Sequence, residues 1–431
     1  DEQDDQDQVE VSKTTEPEPG SDPIRTQTIC PANATANDVM EWIQIANDIT
    51  GEESGDSSGW DTAINADGTI VATSSVQNGN GAGHVRVYRY SSSIGVFSKM
   101  GQDLDGQGGS DRFGFSIALD ESGTRLAVGG VFNDEEHEES ESGHVRVFDY
   151  QEDSDEWVQV GQEIEGKFDG TQAISMSADG SRLAVAASLP TGSSMNSNST
   201  DTAHVRVYDL VANSWVQIGD DISGDSAAEK RSLAFSADGK RLAVGAYQFE
   251  ASGSQGPPGQ VQVYQYNSES KSWHQVSDTI EGSVPYLWGS ALSLSGNGNR
   301  IAIGSPVDHD GFLPLPGSTR VFELADSKWT QIGPDLKGGV SVALSRDGTR
   351  VIIGDHNIFS GGSNSGGVNV YVFEDNDWWH AGNEITGKPD EAFGVSVAAT
   401  ADGNRVGVSA PAHTTPSGDD FVGVTRIYDM C

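Results

Sequence analysis

Apolar and polar residues alternate with period two through most of the chain, in short runs separated by Gly, Asp, Asn and Ser. That is the pattern of half-buried β-strands, and no helical periodicity separates the runs. One stretch shows the order clearly. The run Phe113 to Leu119 is followed by the turn Ser122-Gly123 and the run Arg125 to Gly129. A long polar loop then leads to His144 to Phe148, and a short connection to Trp157 to Gly161. The first turn recurs as Asp67-Gly68, Asp179-Gly180, Asp238-Gly239, Asn297-Gly298, Asp347-Gly348 and Asp402-Gly403. Asp-Gly and Asn-Gly supply the positive φ angles of a tight hairpin. An aromatic opens a W-x-Q-x-G-like segment at Trp42, Phe97, Trp157, Trp215, Trp273, Trp329 and Trp378, with a mean spacing of 56 residues.

Seven units of four short antiparallel strands, each with two apolar faces, predict an all-β fold: a seven-bladed β-propeller over residues 41–431. The recurring Trp or Phe reads as packing between blades. Residues 1–40, rich in Asp, Glu, Gln and Pro, read as an acidic, largely disordered tail.

Composition narrows the function class. Among 431 residues, 65 are Asp or Glu and 25 Lys or Arg, a formal charge of −40. Nucleic-acid partners are excluded by this balance, because phosphate recognition needs clustered cations. No apolar run approaches a membrane span, so no transmembrane segment is expected in this chain. The sequons at Asn33 and Asn198 and the presence of only two cysteines together read as a secreted or cell-surface glycoprotein.

Phe393-Gly-Val-Ser-Val-Ala398, then Val406 to Pro411 and Gly423 to Tyr428, resembles the FG-GAP repeat of integrin-alpha-type propellers, of the acidic kind predicted in diatoms and related algae. The resemblance implies that the W-x-Q strand is the outermost strand of the preceding blade. The orphan strand at Trp42 then completes the C-terminal blade, and a Cys30–Cys431 disulfide replaces the missing hairpin. Calcium-binding members of that family carry a D-x-D-x-D-G-like loop between the first two strands. Here it has shrunk to Ser-Ala-Asp-Gly at 177–180 and 236–239, too short to supply a hard cation with six to eight oxygens.

Candidate chemistry lies in the loops and at the mouth of the central channel. The acidic runs containing Asp134, Glu135 and Glu136, and Asp308 and Asp310, are the residues that suggest a divalent cation such as calcium; no other cofactor is indicated. His84, His144 and His204 occupy one repeat position in three blades and read as structural. The recurring arginines read as partners of carboxylates in the next blade. Aligned on the Asp-Gly turn, the innermost strands begin with Trp60, Phe115, Gln172, Arg231, Ser290, Val340 and Val395. Of these surroundings Trp60, Asp61, Lys230 and Arg231 are candidate ligand-binding residues for an anionic or sugar-like group, and Trp379 is an off-register exposed contact. No nucleophile elbow, zinc helix or phosphate loop is present. The expected function is therefore non-catalytic binding of protein or glycan through the variable-loop face. The alternatives are a glycan hydrolase or lyase at the channel mouth and a structural component of an extracellular matrix.

Overall fold

The second strand of each unit is apolar on both sides: Leu126, Ala127 and Val128 in one, Ile301, Ala302 and Ile303 in another, all fully buried. A sheet with two apolar faces must be covered on both, and here neighbouring sheets cover each other. One apolar cluster joins Ile70, Ala72, Val85 and Val87 of the first unit to Phe113, Leu126, Val128 and Trp157 of the next. Another joins Ile352, Val368 and Val370 to Val406, Val408 and Val424.

A computed structural model describes residues 40–131, 142–169, 171–187, 204–223, 230–247, 259–282, 288–309, 314–356, 364–415, 418 and 420–431. The strands form seven antiparallel sheets. Blade 1 contains Ser58–Ile64, Ile70–Ser75, His84–Ser91 and Val96–Lys99, from the channel outwards. The outer strand then breaks at Gly101 (φ 67°) and resumes as Leu104–Asp105, which pairs with the same third strand. Every blade repeats this break, a departure from the plain fourth strand that periodicity suggests. Each innermost strand packs against that of the next blade, and Val397–Ala399 of blade 7 packs against Ser58–Ile64 of blade 1. The molecule is a seven-bladed β-propeller.

The N-terminal strand closes the ring. Trp42–Gln44 pairs antiparallel with Val424–Met430, Trp42 opposite Met430. Glu41 and Cys431 exchange two backbone hydrogen bonds of 3.0 and 2.9 Å.

At the face bearing the tight turns, the residue before each Asp-Gly or equivalent pair donates its N–H to the matching carbonyl one blade on. The donors run Ala66, Glu121, Ala178, Ala237, Gly296, Arg346 and Ala401, and Ala401 donates back to Ala66, all at 2.7 to 3.1 Å. Arginines reinforce it. Arg125 pairs with Asp149 at 2.6 and 2.7 Å and donates to Gly180 O of the next blade at 3.0 Å. Arg182, Arg300 and Arg405 repeat this with Asp209, Glu323 and Asp429, and with the carbonyls of Gly239, Gly348 and Gly68. The carboxylate partner thus lies in the arginine's own blade rather than the next. The pairing is local because the second and third strands place Arg405 directly opposite Asp429.

The recurring tryptophans are inter-blade rivets. Trp157, Trp215 and Trp42 are donors through Nε1 to Met100 O, Val160 O and Ala381 O of the preceding blade at 2.8 to 3.1 Å. The Phe-Gly dipeptide has its own role: Phe113 and Phe393 are fully buried, and Gly114 and Gly394 take φ 93° and 91°. A Cβ at Gly114 would lie 2.6 Å from Ser74 Cβ in the preceding blade, so only glycine fits this left-handed entry to the strand.

Arg405→Ala, which removes the arginine bridging blades 7 and 1, is expected to lower unfolding stability by about 1 to 3 kcal/mol. Chemical denaturation of the intact chain measures this, and an unchanged midpoint would contradict the bridging role.

Candidate functional site

Antiparallel register places the start of each innermost strand, the end of the second, the start of the third and the end of the outer strand at one face. In blade 1, Ser58 is opposite Ser75, Ser75 opposite His84 and His84 opposite Asp105. The inter-blade connections and the loops between second and third strands therefore share this face, opposite the Asp-Gly turns. Most of the loop at 130–143, with Asp134, Glu135 and Glu136, lies outside the described residues, as do Asp310, Asn33, Asn198 and Cys30. Asp308 is described only as backbone, paired with Leu315. Lys230 and Arg231 are likewise described as backbone, opposite Tyr247 and Ala246 in the innermost pair of blade 4. Trp379 is 57% exposed on the outer strand of blade 6, opposite Val372. The outer strand is the rim of the blade, so Trp379 is not brought together with the channel residues.

Trp60 and Asp61 do come together with a neighbouring blade. Ser58 and Thr62 bracket a register shift, and Gly59 (φ 85°) turns the chain between them. This bulge re-aims the side chains that follow, as bulges beside functional sites commonly do. Trp60 is 37% exposed, and its ring lies 5.6 Å from that of Phe115, its counterpart in blade 2, at an interplanar angle of 40°. Beside this aromatic corner the Asp61 carboxylate spans three blades. Its Oδ1 accepts from Thr62 N at 2.9 Å and from Ser396 Oγ of blade 7 at 3.0 Å. Its Oδ2 accepts from Ile117 N of blade 2 at 2.9 Å.

Burial pushes the Asp61 carboxyl up to about 6, although Ile117 N–H, the Ser396 hydroxyl and Thr62 N–H each favour the charged form. The residue is half-buried rather than sealed: protein atoms surround much of the carboxyl while Asp61 keeps part of its surface exposed. Among the described residues no Lys, Arg or His forms an ion pair with it. The repeat shows how unusual it is. Six residues before the turn Asp or its equivalent, the blades read Asp61, Ser116, Ala173, Ser232, Ala291, Ser341 and Ser396. Ser396 Oγ and Ser116 Oγ each accept an N–H from the next blade, Thr62 and Ile174, at 3.2 Å. Asp61 does the same for Ile117 and brings a charge that the structural role does not need. Alignment on the turn was the sequence signal for this exception.

Other titratable clusters are structural. His144 is fully buried, stacked on Phe113 at 5.7 Å and 3.2 Å from Asp111. His84 and His204 are buried at the same position of their own blades, so the three histidines never meet. Glu52, His84 and Asp103 form a group with metal-ligand chemistry that sequence spacing does not reveal, because they come from separate segments. Arg86 is ion-paired with both carboxylates and already supplies the positive charge there. At the blade 6–7 connection Glu391 is buried, accepting from Arg426 Nη1 and Nη2 at 2.7 and 2.9 Å and lying 2.6 Å from His413 Nδ1. Burial opposes its ionisation, but Arg426 and His413 outweigh that and hold the carboxyl far below the usual range. The turn carboxylates brace their own turns through one oxygen: Asp67 Oδ1 accepts from Thr69 N and Oγ1, and Asp347 Oδ1 from Thr349 N and Oγ1.

The chain matches no known family model and no curated protein. Among solved structures it is similar to the hydrazine synthase of Kuenenia stuttgartiensis, at 15% identity and a TM-score of 0.51, over 84% of this chain and 94% of that one. Identity this low establishes the shared propeller fold alone. Among the described residues no helix is long and apolar enough to cross a membrane.

Asp61 and Glu391 impose opposite pH dependences. Asp61 binds its proton more tightly when folded, so its contribution is full below the unfolded value near 3.8 and is lost as pH rises through about 6. Relative to wild type, Asp61→Ser is expected to gain up to about 3 kcal/mol between pH 4 and pH 8. The depressed Glu391 contributes above its unfolded value of 4.5 and less as pH falls below it. Glu391→Gln is expected to cost about 3 to 5 kcal/mol at pH 7, because Arg426 is left buried without its counter-charge, and less at pH 3. Parallel denaturation curves across this range measure both; equal pH slopes for the two variants would refute the assignments.

Proposed function

We propose that the protein is a non-catalytic secreted or cell-surface propeller that binds a protein or glycan through its loop-bearing face. The carrying observation is the contrast between the two faces. The turn face repeats one hydrogen-bonded geometry seven times, whereas the segments at 74–83, 130–143, 187–203, 246–259, 305–318, 355–367 and 410–422 differ in length and composition, and in blade 5 the expected loop is instead a strand pair that runs on to His309 opposite Pro314. A rigid scaffold presenting unlike loops is the arrangement of a recognition surface. The likeness of Phe393 to Ala398 to FG-GAP propellers agrees with this reading, as do the sequons at Asn33 and Asn198 and the acidic surface. Structural service in an extracellular matrix is a variant in which the loop face meets other matrix chains.

One observation favours catalysis as a second reading: a carboxyl raised to about 6, as at Asp61, is suited to general-acid work. Glycoside hydrolysis also needs a second carboxylate about 5 to 9.5 Å away, and the other six blades hold Ser or Ala at the position equivalent to Asp61. Binding is therefore preferred.

On arrays of extracellular proteins and glycans the chain is expected to give specific signals that are lost when its loops are exchanged for short Gly-Ser connections. Retained binding after exchange of all seven loops would overturn the reading, and saccharide turnover abolished by Asp61→Asn would favour the enzyme.

Secretion also bears on the cysteines. Cys431 is fixed beside Glu41, eleven residues beyond Cys30 and within reach of an extended segment. A Cys30–Cys431 bond would lock the closing blade. Non-reducing peptide mapping is expected to recover the Cys30–Cys431 cross-link, and free thiols at both positions would exclude it.

A further inference from the structure

Asp61 makes the inter-blade bond of its repeat position but brings to it a charge that neutral residues in the other blades do without. At this level Ser116 and Ser396 accept an N–H from the next blade, Ser232 and Ser341 donate to Gly289 O and Gly394 O of the next blade, and two blades have alanine, so neutral residues serve every other junction. Placing a carboxylate here adds a crowded charge, and among the described residues no cation compensates it. Local rules broken without structural gain are expected at functional sites.

The immediate neighbours set the ligand's chemistry. A carboxylate has about four lone-pair directions, of which Thr62 N, Ser396 Oγ and Ile117 N occupy three, leaving one on Oδ2. Next along the strand, the bulge presents Trp60 against Phe115, an aromatic corner whose ring faces are electron-rich. The position of Trp60 is Val340 and Val395 in blades 6 and 7, so this corner too belongs to the junction of blades 1 and 2 alone. A residual carboxylate acceptor beside aromatic faces, in a chain of net charge −40, attracts positive charge and repels anions.

We propose that Trp60, Asp61 and Phe115 form a binding site at the channel mouth for an organic cation, an ammonium or guanidinium group inserted from the loop-bearing face. The cation donates to Asp61 Oδ2 and rests its alkyl or N-methyl surface on Trp60 and Phe115. For the Asp61 side of the site the favoured ligand is thus opposite in sign to the anionic group that Lys230 and Arg231 suggest in the sequence. The groups bonded to Asp61 are Thr62, Ser74, Ile117 and Ser396, none of which titrates near neutral pH. Binding therefore follows the ionisation of Asp61 itself.

Calorimetric or NMR titration of the full chain tests this with n-butylammonium and n-butylguanidinium against neutral butan-1-ol, and with a short Lys-containing peptide against its acetyl-lysine form. The cations are expected to bind and their neutral counterparts to bind at least tenfold more weakly. Asp61→Ser and Trp60→Val install residues that the repeat uses at these positions, so both variants should fold. They are expected to weaken cation binding at least tenfold and about fivefold respectively. Affinity should fall about tenfold between pH 7.5 and pH 5 in the wild type and not in Asp61→Ser, as a group with a pKa near 6 requires. A peptide that binds far more tightly than butylammonium identifies a basic side chain of a partner as the source; equal affinities identify a free small amine. Equal binding of butan-1-ol, undiminished binding by folded Asp61→Ser, or no saturable cation binding below about 10 mM would overturn the proposal. The outcome is independent of the loop exchanges, so this site and the loop-face reading stand or fall separately.

Discussion

The closed circle of backbone hydrogen bonds at the turn face is the constraint from which the rest of the propeller follows. Each blade donates one N–H to the next through the residue before its turn, and the circle closes only because Ala401 finds Ala66. A peptide group in that position is satisfied only with a blade on either side, so no blade is complete alone. The circle sets the spacing of the innermost strands. Apolar side chains then fill the wedges between blades, with Leu126 or Ile301 on one side of a sheet and small residues such as Ala127 or Ala302 on the other. Arginine reinforces this geometry where it can: its guanidinium grips an acid in its own blade and reaches the neighbouring turn with the nitrogen left over.

The opposite face carries none of this uniformity. There the chain enters blades 1, 2, 5 and 7 through a left-handed glycine, blades 3 and 4 through Thr171 and Lys230, and it leaves the second strand into loops of unlike length. The buried acid of the connection, Glu391 in one blade and Asp111 in another, is consumed in holding the entry loop against Arg426 or His144. Chemistry free for a ligand must then come from residues that leave the repeat. Asp61 and Trp60 do so side by side, at the junction where blade 1 meets blade 2, and Ser396 of blade 7 joins them through the closing seam.

Symmetry makes exceptions meaningful. Seven near-copies of one unit provide an internal standard, so a charge at a Ser or Ala position is visible without any homologue. The same standard assigns three histidines and a row of arginines to the scaffold, because each occupies one place in its own blade. The likeness to hydrazine synthase at 15% identity adds the fold and no chemistry, because one fold hosts unrelated functions.

Period, strand order and closure were legible in the sequence because they depend on local signals: the Asp-Gly turn, the alternation of apolar residues and the orphan strand at Trp42. The role of Trp157 as an inter-blade contact was legible for the same reason, and so was the location of Trp60 and Asp61 at the head of an innermost strand. The tertiary structure alone decided which partners these residues meet. It paired Arg405 with Asp429 in its own blade, gathered Glu52, His84, Asp103 and Arg86 from separate segments, and set Asp61 among donors from Ile117 and Ser396. Hydrogen-bond partners and desolvation depend on the distances between blades, and those distances exist only once the circle is closed.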